Sequence, residues 1–228
     1  MVIGPEGPPQ RAGHAADSTP TRARPNESGA TQFPSLGRDD RRQQVHAAET
    51  RLLYDNATTG IAATLVIAGL LGYAHWEAGR HVVVSAWLLY VLLVCAARFV
   101  LVRRYWHAST RDTETGRWTA MFVVGAGMAA AGWGASAFVL YPAAKPMDEI
   151  LVVFAVGGVM LGSASLLAAR PEAFLTFLLP TGFLTASRLI IEGDDDHLMM
   201  GLLAAVFTVA TVITTWRFHL AIETSLKL

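Results

Sequence analysis

Six apolar stretches, each about as long as a bilayer's hydrocarbon core is thick, occupy the chain from Ala57 to Trp216. Hydrocarbon offers no partner to a backbone N–H or C=O, so a run of roughly 20 apolar residues crossing it closes its hydrogen bonds within itself, as a helix. The pattern predicts an all-α polytopic membrane protein, a bundle of six transmembrane helices. The expected spans run from Ala57 to Ala74, Val82 to Val102, Thr119 to Tyr141, Glu149 to Ala169, Glu172 to Ile191 and Leu198 to Trp216. Connections are short except from Arg103 to Trp118, which predicts three antiparallel helical hairpins in sequence.

Charged residues make up 16% of the chain, well under the roughly 25% of soluble domains, although the first fifth is polar. That first fifth, residues 1–45, is rich in Pro, Gly, Ser, Thr and Arg and poor in large apolar side chains, so it is expected to be a disordered arm. It lacks the apolar core of a secretory signal, and Asp39 and Asp40 interrupt Arg38, Arg41 and Arg42, which argues against a nucleic-acid-binding arm. The expected organisation is an arm over 1–45, a transmembrane domain over 46–216 and the start of a cytoplasmic helix over 217–228.

Lys and Arg set the orientation. With the N-terminus cytoplasmic, the inner side collects Arg38, Arg41, Arg42, Arg51, Arg103, Arg104, Arg111, Arg117, Arg170, Arg217 and Lys227, and the outer side only Arg80 and Lys145. Both termini are therefore expected in the cytoplasm, with a lipid bilayer around the bundle. Aromatic residues mark the same boundaries: Tyr54, Tyr105, Trp106, Trp118 and Trp216 inside, Tyr73, Trp76, Trp87 and Tyr141 outside.

Small residues crowd the third span (Gly125, Gly127, Gly132, Gly134) and the fourth (Gly157, Gly158, Gly162), and Gly158 and Gly162 have Gly-x-x-x-Gly spacing. Small residues let helices approach closely in lipid, so the third and fourth spans are expected to form the tight centre, with a dimer seam as the alternative use of that face. Pro180 should kink the fifth span, while Pro171 fits a first-turn position. The single cysteine, Cys95, lies mid-span and reads as a small packing residue.

Two arginines fall inside spans. Arg98 and Arg188 are expected to snorkel toward the headgroups, since an unpaired charge in lipid costs several kcal/mol. For Arg188 the alternatives are an ion pair with Glu192 or the following acidic run, or a contact to an anionic ligand.

The one constellation resembling chemistry lies on the outer rim, where His75, Glu77 and His81 flank the first connection, Asp148 and Glu149 lie near the start of the fourth span, and Glu192, Asp194, Asp195, Asp196 and His197 fill the last outer loop. Imidazoles and carboxylates together are able to hold a divalent cation or to titrate near neutral pH, and these residues are the candidate metal, ligand or pH site. The spacing matches no HExxH or Cys-x-x-Cys pattern, and a solvated acidic rim is the plainer reading. No cofactor is expected: the histidines at the spans, His75, His81, His107, His197 and His219, lie at or beyond span ends, which disfavours a membrane-embedded haem. There is no Gly-x-Ser-x-Gly elbow, Walker loop or nucleotide-binding pattern, so catalysis by the chain itself is not expected.

Beyond Trp216 the helical pattern continues. Phe218, Ile222 and Leu226 repeat at four-residue steps with no Pro or Gly between them, predicting an amphipathic helix that emerges into the cytoplasm and acts as a relay. Extended as heptads, it would pair two copies of the chain.

From about Glu49 to Leu228 the chain resembles the multi-span N-terminal sensory region of bacterial sensor histidine kinases, often hybrid kinases, and of related membrane-bound diguanylate cyclases. The residues that carry the resemblance are Leu52, Leu53, Tyr54 and Asn56 before the first span, and Gly132, Trp133 and Gly134 with Tyr141 and Pro142 in and after the third. They continue with Arg170, Pro171, Glu172, Ala173 and Phe174 opening the fifth, Leu179 and Pro180 within it, and Glu223 to Leu228 after the sixth. The resemblance implies an input module of a two-component system, homodimeric through its transmembrane and C-terminal helices. That module would respond to a small ligand or membrane signal, without nucleic acid. Such proteins continue into a kinase or cyclase domain that is not present in this chain, and His219 matches no phospho-acceptor motif. A small transporter or channel-like protein is the alternative from another class.

Overall fold

The computed structural model describes residues 38–76, 81–109, 113–140 and 146–227. They form α1 (Arg38–Trp76), α2 (His81–His107), α3 (Thr115–Val139), α4 (Pro146–Leu167), α5 (Pro171–Glu192) and α6 (Asp195–Lys227), with no strand among the described residues. All six are long and apolar enough to cross a bilayer, and less than half of each apolar window, 22–44%, is buried inside the protein. Leu70, Val82, Phe154, Phe183 and Leu203 point outward with at least 66% of their surface exposed. Apolar surface on that scale suits a lipid solvent, and the architecture is that of a multi-pass membrane protein.

Two helices outrun the membrane. α1 has 39 residues and α6 has 33, about 58 and 50 Å at 1.5 Å per residue against a hydrocarbon core of about 30 Å. Helix α1 starts at Arg38, so residues 38–45 are helical where the composition predicts arm. The arm before residue 38, the outer-loop residues Arg80 and Lys145, and Arg111, Tyr141 and Pro142 lie outside the described residues. Helix α6 passes through Trp216 without a break, as the continuous pattern after the sixth span predicts.

The tight centre is elsewhere than expected. α5 packs most extensively, against α6 and α3, while α3 and α4 barely touch; α4 lies against α1 and α5 instead. The glycines show why. A Cβ at Gly134 would stand 2.4 Å from Cδ1 of Leu184, and one at Gly182 would stand 2.2 Å from Oγ1 of Thr208, so these glycines admit the α3–α5 and α5–α6 contacts. Gly157, Gly158 and Gly162 on α4 meet nothing within 4 Å. Gly157 and Gly158 line an apolar cavity of about 450 Å³ between α4, α5 and α6, together with Phe154, Leu203 and Phe207. Small residues make close approach possible without choosing the partner.

Helix α5 obeys its local signals. Pro171 occupies its first turn, and Gly193 ends it with φ at 85°, a left-handed cap suited to glycine. Pro180 lies inside α5, which runs on through it.

Candidate functional site

The bundle's contacts gather into two ends. At one, here called the proximal end, the start of the α1 span, the end of α2, the start of α3, the α4–α5 turn and the part of α6 around Trp216 converge. The distal end holds the α1–α2 connection, the start of α4, the end of α5 and the start of α6.

The proximal end is built on aromatic packing. Tyr54 of α1 stacks on Tyr105 of α2 with ring centroids 3.8 Å apart and planes 8° from parallel. Both present edges to Trp118 of α3, and Tyr54 also to Phe122. The Tyr54 hydroxyl, fully buried, donates to the Trp118 carbonyl at 2.9 Å. A tyrosine this deep requires an acceptor, and the first turn of α3 supplies one.

Beside this box lies a buried polar cluster. Pro171 confines the preceding residue to extended backbone, and Arg170 has φ −136° and ψ 124°. Its side chain makes no capping bond to α5 and reaches across the bundle instead. Arg170 Nε stands 3.5 Å from Oε2 of Glu49 on α1, with the two side chains 11% and 5% exposed. That separation makes an ion pair but leaves Nε without a hydrogen bond. Arg170 Nη2 donates to Oγ1 of Thr119 at 3.3 Å, and His46 Nδ1 lies 3.2 Å from the same Glu49 oxygen. Thr50 and Thr119 hydroxyls meet at 2.9 Å, while Thr50 also reaches the His46 carbonyl and Thr119 the Thr115 carbonyl. Two hydroxyl protons therefore serve three contacts, and the network has more than one hydrogen-bonding arrangement in the same geometry.

The cluster is joined to the root of the exit helix. His219 of α6 is buried, and its Nδ1–H donates to the Ala168 carbonyl at 3.1 Å, two residues before Arg170. Phe174, one turn into α5 and fully buried, meets Trp216 edge-on at 6.1 Å and His219 at 6.5 Å. Helices α1, α3, α5 and α6 thus share one buried junction around the α4–α5 turn.

Deeper in the bundle, Arg98 departs from simple snorkelling. Its stem crosses Gly125, where an added Cβ would stand 3.2 Å from Cγ, and its guanidinium carbon lies 5.5 Å from the Phe122 ring centroid. The head leans toward the proximal end, as a snorkelling residue would, and the residue is half-buried. There it borders a small cavity with Asn56, Thr64 and Ser163, among others, and a second one with Thr64, Cys95 and Trp133.

The distal rim is assembled differently. His197 Nδ1 contacts Oδ1 of Asp194, and its Nε2 lies 3.3 Å from Oε2 of Glu149 at the start of α4. Desolvation works to raise the Asp194 carboxyl, but the hydrogen bonds and charge of His197 outweigh it and hold that group below its ordinary value. His75 turns inward: it is 3% exposed, its Nδ1–H donates to the Leu71 carbonyl at 2.9 Å, and its Nε2 has no partner. His81 is exposed and lies against Trp76, and Asp195 and Asp196 are exposed on the first turn of α6. Among the described residues no three His, Cys, Asp or Glu side chains are grouped to hold a metal ion. Arg188 pairs with Glu192 one turn on, the ion-pair alternative.

Of the relay residues, Phe218 is 53% exposed and Ile222 half-buried; both border a groove facing Ser165 of α4. The Leu226 side chain lies outside the described residues. The proximal ion pair was not among the candidates the sequence suggested. The signal available was an acidic residue, Glu49, on the apolar-bound face of α1 a helical step from Leu53, together with an Arg-Pro pair between spans. No family model matches the chain, and neither a curated protein nor a solved structure does.

Proposed function

We propose that the chain is the membrane-embedded sensory module of a bacterial signal-transduction protein, most simply a sensor histidine kinase with a diguanylate cyclase as the alternative output. On this reading it performs no catalysis itself and works as a homodimer in the inner membrane, with the proximal end cytoplasmic, as the excess of Lys and Arg there suggests. The observation that carries the reading is the buried junction in which Glu49 and Arg170 tie α1 to the α4–α5 turn while Phe174 and the Ala168 carbonyl grip Trp216 and His219 at the root of α6. A ligand or membrane change that displaces α1 or α3 alters the ion pair. Arg170, fixed beside Pro171, passes the displacement to α5, and α5 to α6. Bistability of this kind needs two packed states of different ligand affinity, and the shared hydroxyl protons of Thr50 and Thr119 offer two bonding patterns for them.

Cysteines introduced one at a time at positions 218, 220, 221 and 222, in a Cys95→Ala background, test this in native membranes. Oxidation should cross-link 218 and 222 between copies but not 220, and Glu49→Gln should change the yield. Absence of cross-links at all four positions, or yields indifferent to Glu49→Gln together with solute flux through liposomes containing the protein, would replace the relay by a transport function.

A further inference from the structure

The half-buried arginine of α2 has a site around it. Arg98, Asn56, Thr64 and Ser163 come from three helices, α2, α1 and α4, and border one cavity of about 20 Å³; a second, of about 10 Å³, adjoins Arg98 and Thr64 on the other side. Among the described residues none of these four side chains makes a hydrogen bond or ion pair with the protein. The Phe122 ring beside the guanidinium offsets part of its charge but accepts none of its five N–H donors.

The lining fixes the ligand's chemistry. Neither cavity is lined by an Asp or Glu, so the only formal charge is the positive one of Arg98. A cation is repelled. Water would satisfy donors yet leave the charge uncompensated in an apolar bundle, where a lone ion costs several kcal/mol. A volume near 20 Å³ is about the space of one water-sized particle, too small for a phosphate or a carboxylate with its carbon.

We propose that Arg98, Asn56, Thr64 and Ser163 form an intramembrane site for one halide-sized anion, chloride in practice. The anion accepts from the guanidinium fork, the Asn56 amide and the two hydroxyls, and so holds α1, α2 and α4 to a common centre. Attraction between the two charges is strong there because the surroundings are weakly polarisable. Gly125 is what lets the arginine stem pass along α3 to reach the cavity. The site stands on this cavity alone and does not depend on the relay.

The purified full chain in nanodiscs, exchanged into gluconate buffer, is titrated with sodium chloride and followed by chlorine NMR line width and by the thermal-unfolding midpoint. Saturable line broadening that bromide competes away, and a chloride-dependent rise in the midpoint, are expected in the wild type and should be lost in Arg98→Gln and weakened in Asn56→Leu. Wild-type protein with no saturable broadening overturns the site. So does broadening of equal strength in either variant, and Asn56→Leu carries the test if Arg98→Gln does not fold.

Discussion

The two ends of this bundle use the same ionic groups under different solvation, and they do so to different effect. At the proximal end Glu49 and Arg170 are 5% and 11% exposed and share their surroundings with Thr119, Thr50 and an aromatic box. At the distal end Arg188 and Glu192 are 15% and 42% exposed, and His197 and Asp194 20% and 58%. Taking a charge pair out of water costs about what the pair returns, so a buried pair adds little net stability while making the loss of one member severe. An exposed pair adds little and loses little. The comparison predicts a proximal end that behaves as a lock and a distal rim that behaves as ordinary polar surface.

The largest effect expected is at Arg170. Arg170→Ala strands the Glu49 carboxylate and should cost about 3–5 kcal/mol, read as a fall in the unfolding midpoint of the protein in detergent. Glu49→Leu combined with Arg170→Met should restore most of that loss, because a packed apolar pair replaces the ions without their desolvation. A double variant no more stable than Arg170→Ala would mean that the lock is steric rather than electrostatic.

Next comes the root of α6. His219→Phe keeps a ring against Phe174 and Trp216 but removes the donor to the Ala168 carbonyl. Leaving that carbonyl unmet should cost about 1–3 kcal/mol. Hydrogen exchange should then rise at the amides of residues 216–222 while those of α1 keep their protection. Exchange rising equally in every helix would show that His219 supports the whole bundle rather than the exit helix.

How far this contrast was legible in the sequence depends on the kind of signal. Apolar length and the continuation past Trp216 were readable because each is a property of contiguous residues, and the helices from α1 to α6 follow them. Proline and glycine at the ends of α5 were readable for the same reason. The Glu49–Arg170 pair was not, since four spans separate its members along the chain and nothing local to either names the other. The lean of Arg98 toward the proximal end was readable but its neighbours were not: hydropathy counts residues along a helix and does not say which neighbour they meet. The glycines are the plainest case. Gly134 and Gly158 carry the same local signal, yet one is pressed against Leu184 and the other faces open space.

The distal rim supplies the smaller tests. Glu192→Gln removes the carboxylate that faces Arg188, and with Glu192 42% exposed the cost should be about 0.2–1 kcal/mol, shrinking further in high salt. A loss as large as that of Arg170→Ala would place Arg188 in a dry environment and abolish the distinction between the two ends.

The smallest effect, and the sharpest in sign, concerns Asp194. Because His197 holds its carboxyl below the ordinary value, the contact contributes stability above the usual carboxylate pKa and loses it as the pH falls through the lowered one; desolvation works to lower His197, but its bonds to Asp194 and Glu149 prevail and raise it, so the contact weakens again as the pH rises through that raised value. Acidification should therefore produce a shallow decline in the midpoint confined to strongly acid pH, and Asp194→Asn should flatten it. If Asp194→Asn instead shifted the midpoint at neutral pH as much as the proximal variants do, His197 and its partner Glu149 would be tying α4 to α6 as firmly as Arg170 ties α1 to α5, and the rim would be a second lock.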